Sequence, residues 1–172
     1  MNQYIKSLKD SDKINRVLNK RTWKPPKNPF IISGPCSVES EDMIVMWAKK
    51  MESIGIDALR GGAYKPCTYP ITKEVGNNGW KEGLREEGLK HLMTAKKETG
   101  LPIVSEIMDI RQINQLSMDT IDIIQVGTRN FQNYSLLDEF GKLDKPILLK
   151  RGTWATIDEI LGAVERVMVG GN

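Results

Sequence analysis

The sequence contains little cysteine and little histidine. Among 172 residues there are two cysteines, Cys36 and Cys67, and one histidine, His91. Two cysteines do not make a disulfide framework, so each thiol is interpreted as a ligand, a nucleophile or a core filler in a reducing compartment. His91 lies in the middle of a helical pattern, and we interpret it as a surface or packing residue.

Long apolar runs are also absent. No stretch of roughly 18 apolar residues occurs, and the N-terminal residues lack the apolar segment of a secretory signal. We therefore expect neither a membrane span nor export, and we expect a cytoplasmic location. A composition of 40% hydrophobic and 27% charged residues is typical of a soluble globular domain and excludes a disordered or fibrous chain.

Positive charge is concentrated at the start of the chain. Residues 1–29 hold eight basic and two acidic residues, a net charge of +6, and the remainder holds 17 basic and 20 acidic residues, a net charge of −3. The prolines Pro25, Pro26 and Pro29 indicate a linker. We predict a solvated basic extension over 1–29 and a folded domain over 30–172. The extension lacks interleaved aromatic residues, so a nucleic-acid partner is not expected.

Short apolar runs alternate with amphipathic segments from Phe30 onward. Helical patterns lie at 40–54, 83–99, 110–118, 134–142 and 157–169. The runs that precede them are Phe30–Ser33, Ala58–Arg60, Pro102–Ser105, Ile121–Val126 and Pro146–Leu149. Five β-α units in succession predict a parallel sheet, as either a doubly wound sheet or a (β/α)8 barrel.

The ends of the predicted helices carry capping residues. Ser40 is placed to cap the first helix, and Gly55 and Gly100 are placed where the first two helices end. The sequence Thr156-Ile157-Asp158-Glu159 predicts a capping box at the start of the last helix.

Charged or reactive residues follow every predicted strand. Neither a Gly-x-Gly-x-x-Gly turn nor a Walker A sequence is present, which disfavours nucleotide binding. In a barrel, residues that follow the strands gather at one face. Clustered cations repel one another unless an anion lies among them, so the pattern favours a small phosphorylated substrate over simple solvation of loops. The residues are Cys36, Arg60, Lys65, Glu106, Arg129, Lys150 and Arg151.

Five ordered motifs resemble those of class I 3-deoxy-D-arabino-heptulosonate 7-phosphate (DAHP) synthases, and are most similar to the compact β-type enzymes. The sister family that makes 3-deoxy-D-manno-octulosonate 8-phosphate usually has Lys-Ala-Asn-Arg where this chain has Lys65-Pro66, which favours the DAHP branch. The motifs are Gly34-Pro-Cys-Ser-Val-Glu-Ser40, Arg60-Gly-Gly-Ala-Tyr-Lys-Pro66, Ser105-Glu-Ile-Met-Asp109, Gln125-Val-Gly-Thr-Arg-Asn-Phe-Gln-Asn133 and Leu148-Leu-Lys-Arg-Gly152.

The resemblance implies a (β/α)8 TIM barrel that condenses phosphoenolpyruvate with erythrose 4-phosphate, the first step of the shikimate pathway. It implies a divalent metal ion with Cys36 as one ligand. Lys65 and Glu106 would be catalytic, with Glu106 beside the reacting carbons, and Thr68 would help to bind the aldose phosphate. The phosphoenolpyruvate-binding residues would be Arg60, Lys65, Arg129 and Lys150.

Two features depart from the family pattern. Cys67 stands where the family has an arginine for the erythrose 4-phosphate phosphate, and the chain ends after the fifth β-α unit, before the histidine, glutamate and aspartate ligands. We therefore expect an incomplete barrel that is completed by another chain or belongs to a truncated product, and we expect a homo-oligomer or a complementing C-terminal half. The alternatives are a related synthase that uses another aldose phosphate, and a non-catalytic half-barrel that binds anions.

Overall fold

The computed structural model describes residues 29–66 and 83–172. The predicted basic extension, apart from Pro29, lies outside the described residues, as do Cys67 and Thr68. None of the described helices is long and apolar enough to cross a membrane. Strands and helices alternate as β1 (Ile32–Ser33), α1 (Glu41–Ser53), β2 (Ala58–Arg60), α2 (Glu86–Thr99), β3 (Ile103–Glu106), α3 (Gln115–Thr120), β4 (Ile123–Val126), α4 (Tyr134–Phe140), β5 (Ile147–Leu149) and α5 (Ile157–Val169).

The five strands form one parallel sheet in the order β1-β2-β3-β4-β5. In the register of the first three strands, Leu59 lies opposite Ser33 on one side and Ile103 on the other. Each of the first four strands is thus followed by a connection that returns the chain to the neighbouring strand in the same direction. The α/β class predicted from the alternating pattern is confirmed.

The described residues divide into two compact units. The N-terminal unit comprises Pro29–Ile107 and Arg111–Ile124, and the C-terminal unit comprises Met108–Ile110 and Gln125–Asn172.

The core of the N-terminal unit lies where α1 packs against α2. Ile44 and Ala48 of α1 and Leu89 and Leu92 of α2 are fully buried. Burying one such Leu or Ile side chain contributes about 1.5–3 kcal/mol. His91 also lies in this contact, because its Nδ1 is 2.9 Å from Oε2 of Glu41.

The core of the C-terminal unit lies between α4 and α5. Phe140 of α4 and Ala163 of α5 are fully buried, and Arg166 Nη1 donates to both carboxylate oxygens of Asp138, at 2.9 and 3.0 Å. The Asn172 side-chain amide donates to the carbonyl oxygens of residues 140, 143 and 145, which ties the residues after α5 to those after α4.

Predictions based on local capping chemistry are confirmed. Ser40 Oγ accepts from the Met43 amide at 3.2 Å at the start of α1, and Gly55 and Gly100 take left-handed φ values of 76° and 72° after α1 and α2. Thr156 and Glu159 form the predicted capping box, with both reciprocal bonds present.

The helix predicted over 110–118 is wrong. The chain instead forms a short 3-10 turn over Ile110–Gln112 and begins α3 at Gln115. The Asn114 side chain accepts from the Ser117 amide at 3.0 Å and so starts a new helix. Apolar spacing continued through this cap, which is why periodicity alone merged the two elements.

Candidate functional site

Three parallel strands of the N-terminal unit end in the residues expected at the site. Arg60 is the last residue of β2 and Glu106 the last residue of β3, while Cys36 follows β1 by three residues. Because the carboxyl ends of parallel strands meet at one edge of the sheet, this edge carries the three side chains. Glu106 is 7% exposed, Arg60 is half-buried and Cys36 is exposed.

The segments that follow β1 and β2 approach each other closely. Gly34 has a φ of 148°, and a Cβ there would clash with the Arg60 carbonyl oxygen. A Cβ on Gly62 would lie 2.5 Å from the Cys36 carbonyl oxygen, and the Val38 amide donates to the Gly62 carbonyl at 3.0 Å. The two glycines therefore bring the segment that carries Cys36 against the segment that carries Arg60.

Hydrogen bonds on two sides fix the backbone segment that carries Lys65. On the side of β3, the Gly61 amide donates to the Val104 carbonyl at 3.0 Å, and the Ala63 amide donates to Ser105 Oγ at 3.3 Å. On the side of α2, the Arg85 amide donates to the Ala63 carbonyl at 2.8 Å. The base of the Lys65 side chain thus has a defined place beside the end of β3.

The charges of this edge suit an anionic ligand. Lys65 is half-buried and has no salt-bridge partner among residues 29–66 and 83–172. Tyr64, directly before it, is 7% exposed, and burial raises the pKa of its phenol above the ordinary value, so the hydroxyl is neutral at physiological pH. The ammonium group of Lys65 is therefore available to a phosphate or carboxylate.

The C-terminal unit places two further cations after its strands. Arg129 lies in a 3-10 turn over Thr128–Asn130, directly after β4. Lys150 follows β5, and its amide donates to the Val126 carbonyl at 3.1 Å, which sets it beside the end of β4. Both side chains are exposed. Arg151 differs, because its Nη1 donates to the Ala155 carbonyl at 2.8 Å and so holds the loop before α5.

The described residues do not by themselves form a metal centre. In the part of the chain that the structure covers, no three His, Cys, Asp or Glu side chains are grouped so as to hold a metal ion. Cys36 supplies one exposed thiol. One thiolate does not provide the three or four donors that fix a divalent ion in a catalytic geometry.

Ser105 is recognised in the sequence only as the first residue of the motif that contains Glu106, without a role of its own. It is 1% exposed, and its hydroxyl bonds a backbone amide 42 residues earlier in the chain. The available signal was a small hydroxyl residue inside a buried strand, directly before the acidic residue that ends that strand. Most buried hydroxyls have hydrogen-bond partners, and the segment that follows the neighbouring strand β2 is within reach of this one.

These features define an α/β protein of the barrel type that presents cations and a buried carboxylate at the carboxyl ends of its strands. The chain belongs to the DAHP synthetase I family, whose sequence profile matches residues 25–172.

The relatives support this assignment over most of the chain. A phospho-2-dehydro-3-deoxyheptonate aldolase from Thermotoga maritima is 40% identical over 142 residues, which are 83% of this chain and 39% of the relative. A 2-dehydro-3-deoxyphosphooctonate aldolase from Syntrophotalea carbinolica is 26% identical over 142 residues, 83% of this chain and 50% of that protein.

Solved structures agree with the sequence comparison. The crystal structure of the DAHP synthase from Thermotoga maritima has a TM-score of 0.72 and 38% identity, covering 85% of this chain and 40% of that one. A truncated form of the synthase from the same organism has a TM-score of 0.71 and 37% identity, and the match covers 88% of this chain and 51% of that one. The predicted barrel-family fold is thereby confirmed, and the chain spans about half or less of the length of these relatives.

Proposed function

We propose that the chain forms the phosphoenolpyruvate-binding part of a DAHP synthase (3-deoxy-7-phosphoheptulonate synthase). The observation that carries the proposal is the set of cations at the ends of parallel strands or in the segments that follow them, above all Lys65, which lacks a salt-bridge partner among the described residues. Family membership and the Thermotoga maritima relative support it. As the family resemblance implies, Arg60, Arg129 and Lys150 would be the other residues that bind phosphoenolpyruvate.

The reaction joins two anionic substrates. Carbon C3 of phosphoenolpyruvate forms a bond to the aldehyde carbon of erythrose 4-phosphate, water adds at C2, and the bond from C2 to the phosphate oxygen breaks to release inorganic phosphate. Fixed cations overcome the repulsion between the two substrates and hold the reacting carbons together. Arginine binds carboxylate and phosphate through its planar fork, and lysine contributes a compact charge.

Glu106 is the second catalytic residue of the proposal. Its carboxylate ends β3 and is 7% exposed, so it lies in a shielded position at the edge where Arg60 ends β2. A carboxylate there orients water or substrate by accepting a hydrogen bond. Thr68, outside the described residues, would contact the aldose phosphate.

The proposal includes components beyond the described residues. Cys36 would contribute one thiolate to a divalent metal ion, which supplies Lewis acidity to the aldehyde in such enzymes. The other ligands would come from the part of the relatives' length that this chain does not span. We propose that activity in the cytoplasm requires that part, in a longer chain, a complementing chain or an oligomer.

Calorimetric titration of the purified chain with phosphoenolpyruvate tests the proposal. We expect binding that Lys65→Ala weakens by about ten- to a hundredfold, as loss of a charge-assisted contact implies. Lys97→Ala is the matched control, because Lys97 is an exposed lysine on α2. Absence of binding in the parent chain, or equal effects of the two variants, would contradict the proposal.

An assay of phosphate release separates the proposed synthase from its alternatives. Addition of a polypeptide with the remaining three β-α units is expected to yield phosphate release with erythrose 4-phosphate. Phosphate release with arabinose 5-phosphate and not with erythrose 4-phosphate would favour the octulosonate branch, which the 26% identical relative represents. Binding without release under any reconstitution would favour a non-catalytic half-barrel.

A further inference from the structure

We infer that Ser105 is a positioning residue for the phosphoenolpyruvate site, acting through the backbone of the segment that carries Lys65. This inference rests on the proposed function and extends it to a residue that does not itself contact substrate. Ser105 lies in β3, is 1% exposed, and its Oγ accepts from the Ala63 amide at 3.3 Å.

The hydrogen bond is placed where two parts of the site meet. On the strand, Ser105 directly precedes Glu106, and because successive side chains alternate between the faces of a strand, the two side chains point to opposite faces. The donor of the hydrogen bond, the Ala63 amide, lies two residues before Lys65. One hydroxyl therefore ties the position of the Lys65 segment to the strand that ends in Glu106.

The residues around Ala63 show how much depends on this bond. The Ala63 carbonyl accepts from the Arg85 amide at 2.8 Å, so both backbone polar groups of Ala63 are bound, one to a side chain and one to the start of α2. Only the bond from Ser105 uses a side chain, so only that bond can be removed by substitution. Ala63 itself is fully buried, and its amide would have no water to replace the lost acceptor.

The close packing around this segment makes a small displacement consequential. A Cβ on Gly62 would lie 2.5 Å from the Cys36 carbonyl oxygen, so the segment has no room to move toward β1. Without Ser105 Oγ, the Ala63 amide must seek another acceptor, which turns the peptide between Gly62 and Ala63 and displaces the segment that carries Lys65. Substrate contacts made by a lysine depend steeply on such placement.

The test combines amide exchange with ligand binding on the full chain. Ser105→Ala is expected to speed hydrogen exchange at the Ala63 and Arg85 amides about tenfold or more, while the Leu59 amide, bonded to the Pro102 carbonyl at 2.9 Å, keeps its rate. The affinity for phosphoenolpyruvate is expected to fall about tenfold. Ser105→Cys keeps a weaker acceptor of similar size. We expect its exchange rates and its affinity for phosphoenolpyruvate to lie between those of the parent chain and those of Ser105→Ala.

Thr120→Val is the matched control for the loss of a buried hydroxyl that makes no hydrogen bond. Thr120 is fully buried in the same unit, and its hydroxyl has no hydrogen-bond partner among the described residues. We expect its affinity and its Ala63 exchange to match those of the parent chain.

The outcomes distinguish this inference from the proposed function. Unchanged exchange at Ala63 in Ser105→Ala, or faster exchange with unchanged affinity, would overturn the positioning role. If Ser105→Ala does not fold, Ser105→Cys decides by the same two measurements. A parent chain that does not bind phosphoenolpyruvate would contradict the proposed function, and the exchange rates at Ala63 and Arg85 would then decide alone whether Ser105 fixes the segment.

Discussion

The carboxylate of Asp122 accepts the backbone amide of Ile103 at 2.8 Å, joining the residue before β4 to the first residue of β3. Its other oxygen accepts from Lys96 Nζ at 2.7 Å. The same arrangement recurs one pair of strands earlier, where Asp57, directly before β2, accepts the Ile31 amide at 2.7 Å. An aspartate thus anchors the start of the preceding strand at two places, at the edge opposite to the proposed site.

We predict that Asp122→Ala lowers the free energy of unfolding by about 1.5–3 kcal/mol, because it removes the charged acceptor of a backbone amide. Lys96→Met should cost only about 0–1 kcal/mol, since its pair with Asp122 is about one-third exposed. Denaturant unfolding measures both, with Lys97→Met as the control. Equal losses for Asp122→Ala and Lys96→Met would show that the ion pair, and not the backbone contact, carries the stability.

Arg85 provides a second prediction, because it is a non-glycine residue with a positive φ of 56°. This conformation is costly for a residue with a Cβ, by about 1–3 kcal/mol. Both Arg85→Gly and Arg85→Ala remove the side-chain interactions, so their difference isolates the backbone. We expect the glycine variant to be more stable than the alanine variant by about 1 kcal/mol in thermal or denaturant unfolding. An alanine variant as stable as the glycine variant would show that the backbone at Arg85 is not strained.

Most of the fold could be predicted because its signals are local. The capping box at Thr156 and the glycines after α1 and α2 involve residues within one turn of each other, and the structure confirms them. The predicted helix over 110–118 failed for a related reason. Asn114 could serve as a cap or as a helical residue, and apolar spacing does not distinguish the two.

The charged residues of the candidate site could be predicted from the sequence, and the hydrogen bonds that hold them in place could not. Charged residues at strand ends, such as Arg60 and Glu106, follow from the rule that parallel strands end at one edge. The hydrogen bond between Ser105 and Ala63 depends on how closely the segment after β2 approaches β3, which the sequence does not encode locally. The roles of Lys150 and Arg151 are likewise separated only by the contact of Arg151 with the Ala155 carbonyl.

Glu159 gives a prediction about pH. Hydrogen bonds from the Thr156 backbone amide and hydroxyl lower the pKa of the Glu159 carboxyl in the folded chain. A lowered folded-state pKa means that the stabilisation is present above the unfolded-state pKa and is lost as pH falls through the folded-state pKa. Wild type should therefore exceed Glu159→Gln in thermal stability at neutral pH, and the difference should vanish in acid.

Thr156→Ala is the control for this titration. It removes the hydroxyl that bonds the Glu159 carboxylate and the acceptor for the Glu159 amide, at a cost of about 1 kcal/mol. The pH-dependent difference between the Thr156→Ala protein and its Glu159→Gln double variant should be smaller than in the parent chain. A difference of the same size in both backgrounds would assign the pH effect to the Thr156 backbone amide, which the substitution leaves in place, and not to the hydroxyl.

Lys150 and Arg151 are adjacent cations after β5, and we predict that they separate binding from stability. Lys150 is exposed and has no salt-bridge partner in the described ranges, so Lys150→Ala should weaken phosphoenolpyruvate binding about ten- to a hundredfold and leave the unfolding midpoint unchanged. Arg151→Ala should lower stability by about 1 kcal/mol, because it removes the donor to the Ala155 carbonyl, with a smaller effect on binding. Calorimetry and thermal unfolding on the same samples measure the two quantities. The reverse pattern, with Arg151→Ala abolishing binding and Lys150→Ala destabilising the chain, would assign the anion contact to Arg151 and require the substrate to approach the loop before α5.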